Sequence, residues 1–323
     1  MLKLLKKIRF TLIQRNIDRK EKKGIESTTL KGNSEEKIFF ILGSGRNGST
    51  LMAKLLNKHS QIFLPPEQYA LPYSIADWHV SPIKKWQIYS KKQLTRYRQN
   101  NNNWKLDEGD YVQIAKQIEN LTANERGPRE IFKKVFFQYA KKYAANKSAV
   151  GDHSPLSTLF YKYLAYEFRE DYHVFLIRHP LDVVLSYSKM PENAASNPQD
   201  SVKKWNNSVA AYDYLKEKKA KIFLVRYEDL VQKPREIIGE VLCFLNIAKE
   251  DLFIKENSQL ANDSLGVSSL RHHQNLFKPI SSDSIGKWKV GLDPELICKI
   301  QADVKINAQR FGYSLEINHE PKN

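Results

Sequence analysis

Cysteine is scarce in this chain: only Cys243 and Cys298 occur among its 323 residues. Both stand in helix-like text without metal-ligand spacing, which excludes a disulfide framework and a cysteine-based zinc site. They read instead as two buried free thiols of a reducing compartment. No stretch approaches the roughly eighteen consecutive apolar residues that a transmembrane helix needs. A soluble, cytoplasmic protein is therefore expected. Internal repeats and low-complexity domains are also missing. Acidic residues are outnumbered, Asp+Glu 36 against Lys+Arg 52, for a formal net charge of +16. That balance favours polyanionic ligands such as nucleotides, acidic glycans, anionic lipid or nucleic acid, without choosing among them.

What the chain does have is a sharp boundary between an apolar run and a glycine-rich turn. Ile38, Phe39, Phe40, Ile41 and Leu42 stop at Gly43-Ser44-Gly45-Arg46-Asn47-Gly48-Ser49-Thr50, and Leu51, Met52, Leu55 and Leu56 follow at helical spacing. The spacing predicts a buried strand, a turn, and a helix whose first N–H groups face the turn, which together form an anion cradle. Gly43, Gly45 and Gly48 spell the dinucleotide fingerprint, with Glu67 placed to hold a ribose hydroxyl. Gly43, Gly48 and Thr50 also match the triphosphate-binding loop, except that Ser49 occupies the position of its lysine. The nearby side-chain cation is Arg46, whose planar fork suits a tetrahedral oxyanion. A plain strand-to-helix turn carrying a solvated arginine is the bland alternative.

The rest of the chain reads in order as one large α/β domain, with 41% hydrophobic residues sufficient for its core. Residues 1–36 form a basic amino-terminal segment and linker. Within it, residues 1–23 lack the apolar core and cleavage site of a signal peptide, but as an amphipathic helix they could lie on an anionic membrane surface. The domain spans 37–315, with an aromatic-rich helical insert at about 69–147 and a tail at 316–323. Residues 61–64 are a short strand ended by Pro65-Pro66, which presents Glu67 at the sheet edge where ligands bind. Residues 148–151 form a brief strand closing on Asp152-His153-Ser154-Pro155, and a helix over 156–169 follows. Residues 172–177 form a strand ending in Arg178, where a triphosphatase would place a metal-holding aspartate. Ser186 lies in the second turn of the helix that Pro180 opens, within reach of the same phosphate as Arg178. Residues 257–279, with Arg271, His272, His273 and Lys278, read as a mobile flap.

With these blocks placed, the chain resembles the sulfotransferases that use 3′-phosphoadenosine 5′-phosphosulfate, over roughly residues 38–313. Arg46-Asn47-Gly48-Ser49-Thr50-Leu51 is similar to their 5′-phosphosulfate loop, in the arginine form of tyrosylprotein and many carbohydrate sulfotransferases. Ile177-Arg178-His179-Pro180 through Ser186 is similar to the 3′-phosphate motif, whose arginine and serine are phosphate ligands. Arg226-Tyr227-Glu228-Asp229-Leu230 with Pro234 resembles the block whose tyrosine, here Tyr227, lies near the adenine. Lys287-Trp288 resembles the carboxy-terminal flap that closes a lysine over the nucleotide. Two positions depart from the pattern: His179 replaces a commoner aspartate, and His153 stands where the tyrosylprotein branch has Asp-Lys-Thr-Pro.

The resemblance implies an α/β, P-loop-like three-layer fold with a central parallel sheet flanked by helices, and sulfuryl transfer to an acceptor hydroxyl without a metal. It gives Glu67 the role of general base, at the interval from the loop arginine seen in the tyrosylprotein branch. His153 competes for that role, because the cytosolic branch uses a histidine at a nearby strand end. In-line transfer needs a phosphate cradle, a cation near the sulfonate and a base. The loop, Arg46 and Glu67 offer one of each. Aromatic side chains of the insert suit sugar stacking, so a carbohydrate hydroxyl is the preferred acceptor, with protein tyrosine or a small alcohol as alternatives; no nucleic-acid partner is expected. A dinucleotide-dependent oxidoreductase would explain the glycines but leave Arg178, Ser186 and Lys287 idle. A non-enzymatic basic binding protein would explain only the charge.

Overall fold

The computed structural model describes residues 15–19, 35–80, 85–99, 104, 106–143, 146–190, 195–252 and 280–316. In chain order the elements are β1 (Lys37–Gly43), α1 (Ser49–Leu56), β2 (Ile62–Phe63), α2 (Ala70–Val80), α3 (Trp86–Gln99), α4 (Glu108–Glu119), α5 (Pro128–Lys141) and β3 (Ala149–Asp152). There follow α6 (Pro155–Leu159), α7 (Tyr161–Glu167), β4 (Tyr172–Ile177), α8 (Pro180–Ser188), α9 (Pro198–Glu217), β5 (Lys221–Arg226), α10 (Tyr227–Gln232), α11 (Pro234–Phe244), α12 (Trp288–Gly291) and α13 (Pro294–Arg310).

The five strands form one parallel sheet in the order β2-β3-β1-β4-β5. A central parallel strand covered on both faces must be apolar where it is covered, and β1, reading KIFFILG, is apolar and buried from Ile38 onward. Its alternate residues serve two cores. Ile38, Phe40 and Leu42 join the cluster that holds the insert helices, α8, α9 and α13. Phe39 and Ile41 join the other, with Met52 and Leu56 of α1 and Val241 and Leu242 of α11. The result is the expected three-layer α/β architecture. The register pairs Phe40 with Asp152 and Gly43 with Leu176, so the ends of β3, β1 and β4 come together at the carboxyl edge of the sheet.

Several expectations are corrected by packing. Among the described residues the insert is four helices; Trp86 and Trp104 are core, while Trp78 is half-buried against it. Trp86 and Trp104 are buried, their indole N–H groups donating to the Ile118 carbonyl (3.2 Å) and the Pro66 carbonyl (2.9 Å). Trp78 packs edge-on against Trp86 at 6.1 Å. The helix read over 156–169 is two, α6 and α7, because Phe160 leaves helical geometry and turns its ring against Tyr163 (5.4 Å). Both cysteines are exposed rather than buried. Each follows a buried residue, Leu242 or Ile297, and one step along a helix rotates the side chain by about 100°, here out of the core.

Of the basic amino-terminal segment, residues 15–19 are helical and Ile17 is fully buried in the larger core, with Asn16 Nδ2 donating to the His79 carbonyl at 3.4 Å. Residues 1–14, most of the linker, the stretch 257–279 and the tail from 317 lie outside the described residues. Among the described residues no helix is long and apolar enough to cross a membrane.

Candidate active site

At the carboxyl edge the chain leaves β1 for β2, beyond β3, while β4 lies on the other flank. Such a reversal opens the crevice in which α/β sheets bind ligands. The loop from Gly43 fills that crevice and is tied down from several elements. The Gly43 N–H donates to Thr158 Oγ1 (2.9 Å), Tyr187 OH donates to the Ser44 carbonyl (2.8 Å), and Asn47 Nδ2 donates to the Leu176 carbonyl (2.8 Å). Three glycines of the loop are obligatory on steric grounds, Gly43 (φ 147°) because a Cβ there would lie 2.3 Å from the Leu176 carbonyl oxygen. A Cβ on Gly45 (φ 72°) would lie 2.4 Å from Tyr187 OH, and one on Gly48 (φ 95°) would lie 2.5 Å from Tyr227 Cδ2. Ser49 and Thr50 begin α1, whose first-turn N–H groups have no carbonyl four residues back and are left for an anion. Asn47 is fully buried, with its Nδ2 engaged by the carbonyls of the sheet.

Arg46 is the unusual residue of the loop. Its φ of 53° is in the left-handed region, a conformation that costs a non-glycine residue about 1–2 kcal/mol. That backbone turns its side chain toward α8, where Nε donates to Ser186 Oγ at 3.1 Å. Its carbonyl accepts from Arg178 Nη1, also at 3.1 Å. Arg46, Arg178 and Ser186, far apart in sequence, are thus one cluster. Burial lowers the Arg46 pKa, and the nearby Arg178 acts in the same direction while Tyr187, Glu67 and Tyr227 oppose it. Arg178 lies 4.4 Å from the centre of the Tyr227 ring, donates from Nη2 to the Ser284 carbonyl (2.7 Å), and keeps a buried Nε without a partner among the described residues.

The segment bearing Lys287 is held to the site by a residue that sequence reasoning missed. The Asp182 carboxylate accepts from the Gly286 N–H (2.8 Å) and the Trp288 N–H (3.0 Å), fixing the start of α12. Trp288 stacks on His179 at 5.0 Å, and the His179 N–H donates to Glu228 Oε1 (2.9 Å). His179, the departure from the family pattern, is therefore an aromatic platform for the carboxy-terminal segment. Lys287 itself is exposed at the helix cap.

Glu67 and His153 also meet, at 3.9 Å between Oε1 and Nδ1, yet only one of them faces outward. The Glu67 side chain is 29% exposed and that of His153 is 1% exposed. Tyr69 OH donates to Glu67 Oε2 at 2.7 Å. Burial lowers the His153 pKa, partly offset by Glu67, so the neutral imidazole is favoured. The topology also separates this site from a dinucleotide fold. There the strand bearing the ribose-binding acid adjoins the glycine-loop strand, whereas here β3 lies between β1 and β2.

Beneath Glu67, burial pushes the Asp152 carboxyl up to about 7, against the opposing hydrogen bonds from the Ser157 hydroxyl (2.5 Å) and the Ser154 N–H. An acid whose folded pKa exceeds its unfolded value of about 3.9 binds more protons when folded, so its contribution to stability falls as pH rises through the interval between the two values. Wild-type protein is therefore expected to lose melting temperature between pH 5 and about 7 more steeply than Asp152→Asn, which keeps the shape and cannot ionise. Parallel melting curves for the two proteins across this range would contradict the assignment.

Besides Asp182, the sequence reading missed Tyr187, Thr158 and Lys204. Lys204 is carried by α9, and its Nζ lies 4.7 Å from the centre of the Tyr187 ring. No motif spacing marks these side chains, because each reaches the loop from a different element.

Comparison with known proteins agrees with this geometry. A family model described as "Sulfotransferase family" matches residues 39–251. The chain is 26% identical to Protein-tyrosine sulfotransferase 1 of Danio rerio over 305 residues, covering 90% of this chain and 76% of that protein. It is 21% identical to Protein-tyrosine sulfotransferase of Drosophila melanogaster over 290 residues, covering 87% of this chain and 52% of that protein. Among solved structures it is similar to the sulfotransferase domain of the Synechococcus PCC 7002 olefin synthase, with TM-score 0.61 and 20% identity over 89% of this chain and 99% of that one. The sulfotransferase domain from the curacin biosynthetic pathway gives 0.57 and 20%, over 87% and 99% respectively, a likeness of fold.

Proposed function

The chain belongs to the sulfotransferase family, and on that premise we propose that it moves the sulfuryl group of 3′-phosphoadenosine 5′-phosphosulfate to a phenolic hydroxyl, that of a protein tyrosine. The observation that carries the nucleotide reading is the joining of Arg46 to both Ser186 and Arg178, each contact at 3.1 Å. One loop arginine thereby links a 5′-anion cradle to a strand-end cation. Two further features fit an anionic nucleotide with two phosphate positions: the buried Nε of Arg178, without a partner among the described residues, and a loop that admits no Cβ at Gly45 or Gly48.

When bound, the co-substrate supplies a sulfuryl group activated by its 5′-phosphate. The first-turn N–H groups of α1 receive the 5′-phosphate, and Arg46 compensates the charge that builds on the bridging oxygen. Arg178 and Ser186 take the 3′-phosphate, and Tyr227 and Lys287 border the adenosine. Glu67 accepts the proton of the attacking hydroxyl, while the electron pair of the broken S–O bond leaves with the 5′-phosphate.

Tyrosine is favoured over a carbohydrate because the phenol of Tyr69 reaches Glu67 at 2.7 Å and because Trp86 and Trp104 of the insert are buried. The names of the relatives agree, and a net charge of +16 attracts an acidic peptide. A screen with labelled donor over acidic tyrosine peptides, oligosaccharides and small alcohols tests the acceptor, and transfer to sugars alone overturns it.

The nucleotide reading has its own test. 3′-Phosphoadenosine 5′-phosphate is expected to raise the melting temperature well above the effect of adenosine 5′-phosphate, with the difference lost in Arg178→Ala. Equal shifts in the wild type, or a larger one with a nicotinamide dinucleotide, would count against it. Transfer should also persist in a chelator, since arginines stand where triphosphatases hold their metal and phosphate.

A further inference from the structure

We propose that Lys204 is a second cation of the transfer centre, placed to hold the sulfonate on the acceptor side of the loop and so to distinguish the sulfated nucleotide from its desulfated product. The inference rests on the family reading above and extends it to a residue outside the recognised motifs.

Lys204 projects from α9 over the first half of the loop. Its Nζ lies 3.8 Å from the point that a Cβ on Gly45 would occupy, and 4.7 Å from the centre of the Tyr187 ring, whose hydroxyl is bonded to Ser44. The same side chain borders a cavity of about 150 Å³ with Gly43, Ser44, Thr158 and Tyr161. Burial lowers the Lys204 pKa; the Glu67 carboxylate opposes this and Arg46 reinforces it, so the ammonium lies within the field of both. Arg178 and Ser186 meet Arg46 from the strand-end side, whereas Lys204 is coupled to Glu67 as well.

Among the described residues Lys204 makes no hydrogen bond and no ion pair. A partly buried ammonium beside an arginine, with only an aromatic face in contact, is unfavourable unless an anion completes it. The anion that the reaction brings to the space between Arg46 and Glu67 is the sulfonate. The compact charge of lysine suits a group that must be released to the acceptor, where a bidentate arginine would hold it. A purely structural role, with the ammonium only packing on Tyr187, makes a different prediction for binding.

Calorimetric titration of 3′-phosphoadenosine 5′-phosphosulfate and 3′-phosphoadenosine 5′-phosphate into wild type, Lys204→Met and Lys204→Arg separates these roles. The proposal expects Lys204→Met to weaken the sulfated nucleotide about tenfold or more and the desulfated one by less than about threefold, with Lys204→Arg recovering most of the difference. Single-turnover transfer should fall at least as far as the affinity for the sulfated nucleotide. Equal weakening of both nucleotides, or no weakening of either, overturns it. Wild type that binds neither nucleotide overturns the family reading of the site together with this inference. A melting scan establishes that each variant is folded, and Lys204→Gln carries the same comparison if the methionine variant is not.

Discussion

Glu67→Gln is expected to slow single-turnover sulfuryl transfer by about two orders of magnitude or more, the usual contribution of a general base, while leaving affinity for 3′-phosphoadenosine 5′-phosphate within about twofold. The expectation follows from access as much as from chemistry. Glu67 leaves β2 through Pro65-Pro66 at the ligand edge, its carboxylate is open to solvent, and a phenolic hydroxyl already reaches it. His153 leaves β3 at the same edge but is enclosed, and burial lowers its pKa. The acceptor hydroxyl is therefore expected at the partly exposed carboxylate rather than at the buried ring. Its contact with Glu67 gives it at most a role in orienting the carboxylate, so His153→Ala should lose much less. Near-normal turnover in Glu67→Gln combined with collapse in His153→Ala would move the base to His153.

Arg46 is the second position with a large expected effect, and there catalysis and stability pull apart. Removing a preorganised cation from a site of developing negative charge costs about 10²–10³ in turnover, and both Arg46→Ala and Arg46→Gly should show that loss. The two variants differ in backbone. Alanine keeps a Cβ at φ 53°, whereas glycine adopts that conformation freely. After allowance for the greater chain entropy of glycine when unfolded, Arg46→Gly should be more stable than Arg46→Ala by up to about 1 kcal/mol, or about 2 °C in melting temperature. Arg46→Gly clearly less stable than Arg46→Ala would show that the loop carries no strain at this residue. Full turnover in either would remove Arg46 from the transfer centre.

The strand, the glycine turn and the start of α1 were legible because their pattern is local. An unbroken apolar run, glycines at fixed intervals and helical spacing thereafter are properties of consecutive residues, and the same holds for β4 ending in Arg178 and for Pro180 opening α8. The clustering of Arg46, Arg178 and Ser186 could be expected from the resemblance, and the parallel order of the strands explains why it forms. The direction of individual side chains was not legible in the same way. Asn47 sits among the loop residues in sequence, but its amide is turned into the sheet. Trp86 and Trp104 read equally well as a stacking surface or as core until their neighbours are known.

By itself the sequence determined the α/β layering and the strand, turn and helix of the anion cradle, because hydrophobic period and turn chemistry act over a few residues, and the cations and carboxylate near it were what the family resemblance implied. Tertiary structure alone decided that Glu67 is open and His153 closed, that Asp182 and His179 anchor the segment of Lys287, and that Lys204 stands over the loop. Those outcomes depend on which elements flank a strand end and on the rotational phase of each helix against the sheet. They are fixed by packing between residues that can be more than a hundred positions apart, and no local pattern encodes that packing.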